Sequence, residues 1–324
     1  MKKKFGWCFI GAGGISKKCA EEILKKDNCY IASIWNRTHQ KAVEFAKKYH
    51  AKAYENVLDA INDENVEGVY IGLTNDQHYD YIKLCLENHK SVLCEKPFTM
   101  NEKEAKELFE IAKANNVYLA EAMWTWFNNP ALKMKEWVEN NKFGQIKEVT
   151  CRFAFIGVSK DYSVPRLIDI NLLGGCLLDI GVYGLRYSLE LFGYPKEIKC
   201  TGNKYQTGID LNEHVTFIYD NFSIDHYFSI TEELEEIYEI KGSKGYTKGK
   251  NFHATNELYL ECDSGNELYK TDNLLYERQF HIASEEIRSG LLESKYVTRE
   301  KTIKCMKIMD ECRKQMGVIY PKEK

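Results

Sequence analysis

The sequence has no run of ~18 apolar residues, which excludes a membrane-spanning helix. It has no strong charge of one sign: the formal net charge is −3, which argues against nucleic acid or an anionic membrane as the main partner. Its eleven cysteines include no Cys-x-x-Cys pair, and their number is odd. Most sit in apolar surroundings (Cys8, Cys85, Cys94, Cys151), so buried free thiols in a reducing, cytoplasmic setting are expected, not disulfides or a metal site. Internal repeats, low-complexity segments and flexible linkers are absent too. The basic start, Met1-Lys2-Lys3-Lys4, leads into an apolar segment, Phe5–Ile10, that is too short for a signal-peptide core.

What is present is an ordinary globular composition, 44% hydrophobic and 29% charged, over 324 residues. That length suggests about two domains. Apolar runs at Phe5–Ile10, Tyr30–Trp35, Gly68–Leu73, Ser91–Cys94 and Val117–Ala120 read as strands. Helical spacing fills Ile15–Lys26, Gln40–Tyr49, Tyr79–Asn88 and Asn101–Asn116, the last opened by a capping box from Asn101 to Glu104. Such alternation predicts a parallel sheet covered on both faces. Beyond Glu121–Pro130 the pattern changes. A helix over Pro130–Asn140 is followed by strands at Ile146–Ile156, Glu197–Tyr205, His214–Tyr219, Ser223–Ser229, Glu235–Lys241 and Leu258–Cys262. Helices are expected near Asp179–Leu191, Tyr276–Arg288 and Arg299–Met316. The fold class is therefore α/β: an N-terminal Rossmann-type doubly wound parallel sheet over residues 1–122, and a C-terminal α+β domain with an open, mostly antiparallel sheet over residues 123–324. The last helix could pack back on the first domain.

The loop Gly11-Ala12-Gly13-Gly14-Ile15-Ser16 joins the first strand to the first helix and fits a dinucleotide fingerprint. Gly11 permits the tight turn, Gly13 lets the backbone approach a pyrophosphate, and the helix N-terminus supplies unpaired N–H donors. An acid that would grip ribose hydroxyls is missing at the end of the second strand, since no Asp or Glu occurs between Asp27 and Glu44. Asn36, Arg37 and Thr38 stand there instead, and Arg37 offers a fork of donors for a 2′-phosphate. NADP is therefore expected over NAD.

Ligands of an open parallel sheet bind beyond the carboxyl ends of its strands. Lys96 stands at such an end, inside Val92-Leu93-Cys94-Glu95-Lys96-Pro97; Leu73 ends the preceding strand, and Asn75 and His78 follow it. His78 reads equally well as a core or capping histidine. In Gly174-Gly175-Cys176-Leu177-Leu178-Asp179-Ile180-Gly181-Val182-Tyr183, Asp179 and Tyr183 are four apart, on one face of a helix. The paired glycines allow close approach of another backbone or of a ligand. A tyrosine near an ammonium can exchange a proton near neutral pH; the alternative is a packed helix with a buried tyrosine and a capping aspartate.

These marks resemble the Gfo/Idh/MocA oxidoreductases, and the resemblance covers essentially the whole chain. It implies a catalytic lysine at Lys96, with Glu95 and Pro97 completing the E-K-P motif at a bond that is often cis. It also implies Asp179 and Tyr183 facing the substrate. Many members carry histidine where Tyr183 stands. Tyrosine there is similar to the branch of dimeric dihydrodiol dehydrogenase, NADP-linked D-xylose dehydrogenase and glucose–fructose oxidoreductase, and the stretch Glu121–Phe127 is similar to the first two. The resemblance implies hydride transfer between nicotinamide and a carbinol or carbonyl carbon of a sugar, polyol or trans-dihydrodiol. Trp124, Phe127 and Arg166 are candidate substrate contacts, though aromatics at such positions are more often core. Two rivals share the fold: a ligand-sensing regulator without turnover, and an NAD-dependent glycosidase. The strands Thr150–Ile156 and His226–Ile230 read as carrying large apolar side chains on an uncovered sheet face, which points to a homodimer joined there.

Overall fold

The computed structural model describes residues 3–158, 165–272 and 275–323, so Met1 and Lys2 of the basic start lie outside it. By internal packing the chain divides into two units, Met1–Phe127 with Leu274–Thr302, and Asn128–Asn273 with Ile303–Lys324.

The first unit runs β1 (Phe5–Ile10), α1 (Gly14–Ile23), β2 (Cys29–Trp35), α2 (His39–Tyr49), β3 (Lys52–Tyr54), α3 (Val57–Ile61), β4 (Gly68–Ile71), α4 (His78–Glu87), β5 (Val92–Glu95), α5 (Glu102–Ala114) and β6 (Leu119–Ala122). The sheet order is β3-β2-β1-β4-β5-β6, with every pair parallel. Strands covered on both faces need continuous apolar character, and all six residues of β1 are buried. The order reverses between β1 and β4, which opens a crevice at their carboxyl ends. α5 starts where the sequence places its cap: Glu104 N donates to Asn101 Oδ1 at 2.9 Å, and Glu104 Oε2 accepts from Met100 N at 3.0 Å.

The second unit holds α6 (Asn129–Glu139), β7 (Ile146–Ile156), α7 (Pro165–Ile168), a π turn (Leu177–Gly181) running into α8 (Val182–Phe192), then β8 (Glu197–Lys204), β9 (Asp210–Ile218), β10 (Ser223–Ser229), β11 (Thr231–Gly242), β12 (Gly245–Lys250), β13 (Glu257–Cys262) and β14 (Glu267–Lys270). Its sheet order is β14-β13-β12-β11-β7-β10-β9-β8. All pairs are antiparallel except β7 with β10, which run parallel at the centre.

Two late helices follow. α9 (Glu277–Arg288) belongs to the first unit, where Phe280 lies within 5.4 Å of the Trp7 ring and 4.9 Å of the Tyr70 ring. Burying that phenylalanine contributes about 2–3 kcal/mol. Arg288 pins the end of the helix, donating to both oxygens of Glu67 at 2.9 and 2.7 Å. α10 (Arg299–Met316) gives its first turn to the first unit and the rest to the second.

The second sheet corrects one expectation. Side chains alternate between the faces of a strand, and the large apolar ones of β7 and β10 point toward α8. A Cβ on Gly184 of α8 would meet Cys151 Sγ at 2.6 Å and Phe228 at 2.7 Å. Phe228 and Ile230 are fully buried, and of the apolar residues first read as outward only Ile156 is strongly exposed, at 60%. The opposite face carries Thr150, Arg152, Asp225 and Tyr227 in register. A buried polar chain ties α8 down: His226 Nδ1 donates to Val215 O at 2.8 Å, and Ser188 Oγ lies 2.7 Å from His226 Nε2 and 2.8 Å from Tyr238 Oη. Burial pushes the imidazole of His226 down to about 4, so it stays neutral and accepts from Ser188.

All eleven cysteines are free and ten are buried. Among the described residues no helix is long and apolar enough to cross a membrane.

Candidate active site

In the first unit, Gly11 closes β1 with φ +105°, and its N–H donates to Trp35 O at 2.8 Å. A Cβ there would lie 2.5 Å from Gly72 O, so only glycine lets the β1 and β4 loops approach this closely. Ser16 Oγ reaches the same carbonyl at 3.4 Å. Above Gly13 and Gly14 the space is open: an added Cβ would meet only Gly72 O at 3.8 Å in the first case and nothing within 4 Å in the second. Together with the α1 N-terminus, at which Ile15 is the second residue, this cradle fits a pyrophosphate.

Asn36 sits beside that cradle. Its Oδ1 accepts from Ala12 N at 3.1 Å and its Nδ2 donates to Thr38 O at 3.0 Å. Arg37 and Thr38 are exposed on the same turn. A neutral amide, a guanidinium and a hydroxyl form a donor set suited to a nucleotide phosphate. No local motif marks Tyr81, whose ring lies 5.3 Å from that of Trp35. It comes from α4, and only the fold brings it to the end of β2.

At the carboxyl end of β5, Lys96 is half-buried and its bond to Pro97 is cis. Leu73 and Asn75 lie on the loop after β4. His78 is fully buried, with Nδ1 2.9 Å from Pro97 O and Nε2 3.3 Å from Leu73 O. Its ring therefore braces the two loops against each other, and burial holds its pKa below the usual range. Glu95, beneath Lys96, accepts from Tyr70 Oη at 2.8 Å, and Tyr70 Oη lies 3.3 Å from Cys19 Sγ. Burial pushes the Glu95 carboxyl up to about 7 against the opposing pull of Tyr70 and Lys96. Trp124 and Phe127 also belong to this unit, 2% and 0% exposed; Trp124 packs 5.1 Å from Tyr276 and Phe127 6.2 Å from Tyr296. Neither ring presents open surface.

In the second unit the paired glycines admit other parts of the protein. A Cβ on Gly174 would lie 2.6 Å from Arg166 O, and one on Gly175, at φ +114°, would lie 2.3 Å from Asp210 Oδ1. The buried Asp210 holds this turn, accepting from Leu177 N at 2.5 Å. Thirty-odd residues separate the two, and no local pattern announces the contact. Asp179 follows on the π turn, a form often found at functional sites, and accepts from Arg166 Nη2 at 3.1 Å. Tyr183, in the first turn of α8, is 7% exposed and packs beside Phe153 and His253. The fold thus brings Arg166, Asp179 and Tyr183 onto one stretch of the second unit.

Comparison with known proteins agrees over the whole chain. Residues 5–123 match the oxidoreductase family with an NAD-binding Rossmann fold, and residues 131–248 match the GFO/IDH/MocA C-terminal domain. The chain is 30% identical to trans-1,2-dihydrobenzene-1,2-diol dehydrogenase of Sus scrofa, covering 98% of each chain. It is 29% identical to an NADP-linked scyllo-inositol 2-dehydrogenase of Bacillus subtilis, covering 97% of this chain and 98% of the relative. Among solved structures, aldose–aldose oxidoreductase from Caulobacter crescentus superposes with TM-score 0.87 at 16% identity, and a 3-ketoreductase from Actinomadura kijaniata in complex with NADP with TM-score 0.84 at 18% identity. Each alignment covers 97% of this chain and 98% of the other.

Proposed function

Because this chain belongs to the Gfo/Idh/MocA oxidoreductase family, we propose that it interconverts a secondary alcohol and a ketone, or an aldose and its lactone, on a sugar, polyol or trans-dihydrodiol, using NADP. The carboxyl edge of the parallel sheet carries this reading: the open cradle over Gly13 and Gly14, Asn36 and Arg37 closing β2 without a carboxylate, and Lys96 closing β5 all lie along it. Bound NADP supplies a hydride acceptor at its nicotinamide ring. Gly11, Gly13, Gly14 and Ile15 hold the pyrophosphate, Asn36, Arg37 and Thr38 hold the 2′-phosphate end, and the loop backbone at Leu73 and Asn75 lies along the dinucleotide. His78 and Glu95 support that edge from below.

In the oxidative direction Tyr183 takes the proton of the substrate hydroxyl on its phenolate oxygen. The family resemblance supports a role for Lys96 on a substrate oxygen, where an ammonium would favour a phenolate. Asp179, oriented by Arg166, accepts from a neighbouring substrate hydroxyl. Trp124 and Phe127 fall outside the proposed contacts because they are packed shut. The relatives named above act on a cyclic diol and a cyclic polyol, which supports that substrate class. A second copy of this chain is the proposed partner, on the outer face of the second sheet. The family resemblance alone supports it, because the apolar side chains expected on that face turn inward.

A screen of purified protein over inositols, aldoses, trans-dihydrodiols and their ketones, with NADP(H) and NAD(H) side by side, tests the reading. Turnover linked to NADP(H) on one of these classes is expected. Release of reducing sugar from a glycoside without net change in cofactor would replace the reading.

A further inference from the structure

The turn that leads to Asp179 has a partner 146 residues along the chain: Tyr320 Oη donates to Gly174 O at 3.0 Å. The tyrosine is fully buried. Cζ of the Arg313 guanidinium lies 4.9 Å from its ring centroid, within cation–π reach. Arg313 is itself held by Asp310 at 2.7 Å and by the two oxygens of Glu323 at 2.7 and 3.0 Å. The backbone N–H of Tyr320 donates to the same Glu323 carboxylate at 3.0 Å. Burial pushes the phenol well above its usual pKa, so the hydroxyl keeps its proton and serves as a donor.

Gly174 joins two segments of the candidate site. Its N–H donates to Asp169 O at 3.0 Å, and the N–H of Gly175 donates to Leu167 O at 2.9 Å. A Cβ on Gly174 would lie 2.6 Å from Arg166 O and 2.7 Å from Leu167 O. The turn therefore lies directly against the segment that bears Arg166, whose Nη2 reaches Asp179 Oδ1 at 3.1 Å. On the other side of the turn Asp210 accepts from Leu177 N at 2.5 Å. Two successive glycines leave the backbone locally free, so its course here is set by these outside contacts.

We propose that Tyr320 is a positioning residue for the reaction, fixing the Gly174 carbonyl so that Asp179 meets a substrate hydroxyl in register. The inference rests on the reading of Asp179 as a substrate contact. A hydrogen bond weakens steeply as its angle and distance leave the optimum, and a small displacement of a positioning group lowers the rate of the step that it serves. Loss of the Tyr320 hydroxyl frees one side of the glycine turn, while Asp210 still holds the other. The Asp179 carboxylate then samples positions away from the substrate oxygen.

The test is Tyr320→Phe in the whole protein, which keeps the ring beside Arg313 and removes only Oη. It is assayed well below its melting temperature, with NADP and scyllo-inositol or trans-1,2-dihydrobenzene-1,2-diol. kcat/KM should fall about tenfold, with affinity for NADPH unchanged. In an Asp179→Asn background the same substitution should cost little more, because the group that it positions is already lost. An equal loss in both backgrounds makes Tyr320 merely structural and overturns the inference, as does unchanged kcat/KM in Tyr320→Phe. Unchanged kcat/KM in Asp179→Asn alone overturns the reading of Asp179, and this inference falls with it. The protein without substrate gives a second readout. Amide hydrogen exchange over residues 175–179 should quicken several-fold in Tyr320→Phe, and unchanged exchange there overturns the inference whatever the substrate.

Discussion

Tyr70 Oη donates to Glu95 Oε1 across 2.8 Å, in a place where the tyrosine is fully buried and the glutamate 4% exposed. The bond joins β4 to β5 at the residue before Lys96. Hydrogen bonding favours the carboxylate and burial opposes it; burial is the larger effect, and the Glu95 carboxyl rises to about 7.

A pH dependence of stability follows. The unfolded chain releases this proton near ~4.3. Between there and about 7 the folded chain holds a proton that the unfolded chain has lost. The contribution of Glu95 is therefore full below the unfolded value and is lost as pH rises through the folded one, by about 3 kcal/mol in all. Glu95→Gln, which keeps an acceptor for Tyr70, should flatten the dependence of urea-unfolding stability on pH between 5 and 8, measured without nucleotide. Tyr70→Phe should move the remaining transition to higher pH. An unaltered slope in Glu95→Gln would assign the proton elsewhere.

Cofactor choice is expected to depend on the turn after β2. Arg37→Ala removes a charge-assisted contact to a 2′-phosphate and should weaken NADPH by ~1.5–3 kcal/mol, leaving NADH nearly unchanged. Asn36→Asp tests the same point from the other side. Its carboxylate would still accept from Ala12 N, but it would repel the phosphate and offer ribose hydroxyls an acceptor, so NADH should gain relative to NADPH. Equal weakening of both cofactors in Arg37→Ala, read by fluorescence titration, would make the arginine structural.

The glycines of the second unit should separate strain from clash. Gly193 has φ +79° and open space for a Cβ, whereas Gly175 has φ +114° and would set its Cβ 2.3 Å from Asp210 Oδ1. Gly193→Ala should cost only the backbone strain, about 1–3 kcal/mol. Gly175→Ala adds the cost of displacing a buried carboxylate that holds Leu177 N, so it should lose about 1–3 kcal/mol more and depress turnover through the Asp179 turn. Equal unfolding free energies for the two variants would contradict the bracing role of Asp210.

Legibility followed the range of the interactions. Most of the Rossmann half is written in local signals, since its longer strands, loops and helices carry an apolar period, a cap or a glycine. β3 and α3 were not foreseen because three and five residues are too few to display a period. β12 and β14 went unseen because lysine, glycine and glutamate dilute their alternation. The parallel pairing of β7 with β10 and the seating of Phe280 in the first unit are long-range choices. Periodicity says that a face is buried, but not against what. The same limit divides the site. Gly11, Asn36, Lys96, Asp179 and Tyr183 stand next to recognisable local motifs. Asp210 and Tyr81 act through contacts that only the folded chain creates.

The proposed chemistry is tested at Tyr183 and Lys96. Tyr183→Phe keeps the ring that packs beside Phe153 and His253 and removes only the hydroxyl. Affinity for NADPH should be unchanged, because the proposed nucleotide contacts all come from the first unit. Turnover on the substrate found by screening should fall ~10²–10⁴-fold, the usual weight of a general acid or base. Lys96→Met keeps the length of the side chain without its charge and should lower turnover similarly. In the oxidative direction it should also move the acidic limb of the pH–rate profile upward, since an ammonium no longer favours the phenolate. The double variant should lose little more than either single one, because both residues serve one proton transfer. Additive losses would mean separate steps. Near-normal turnover in Tyr183→Phe would pass the proton to a bound water, because the imidazole of His78 is buried between the carbonyls of Pro97 and Leu73.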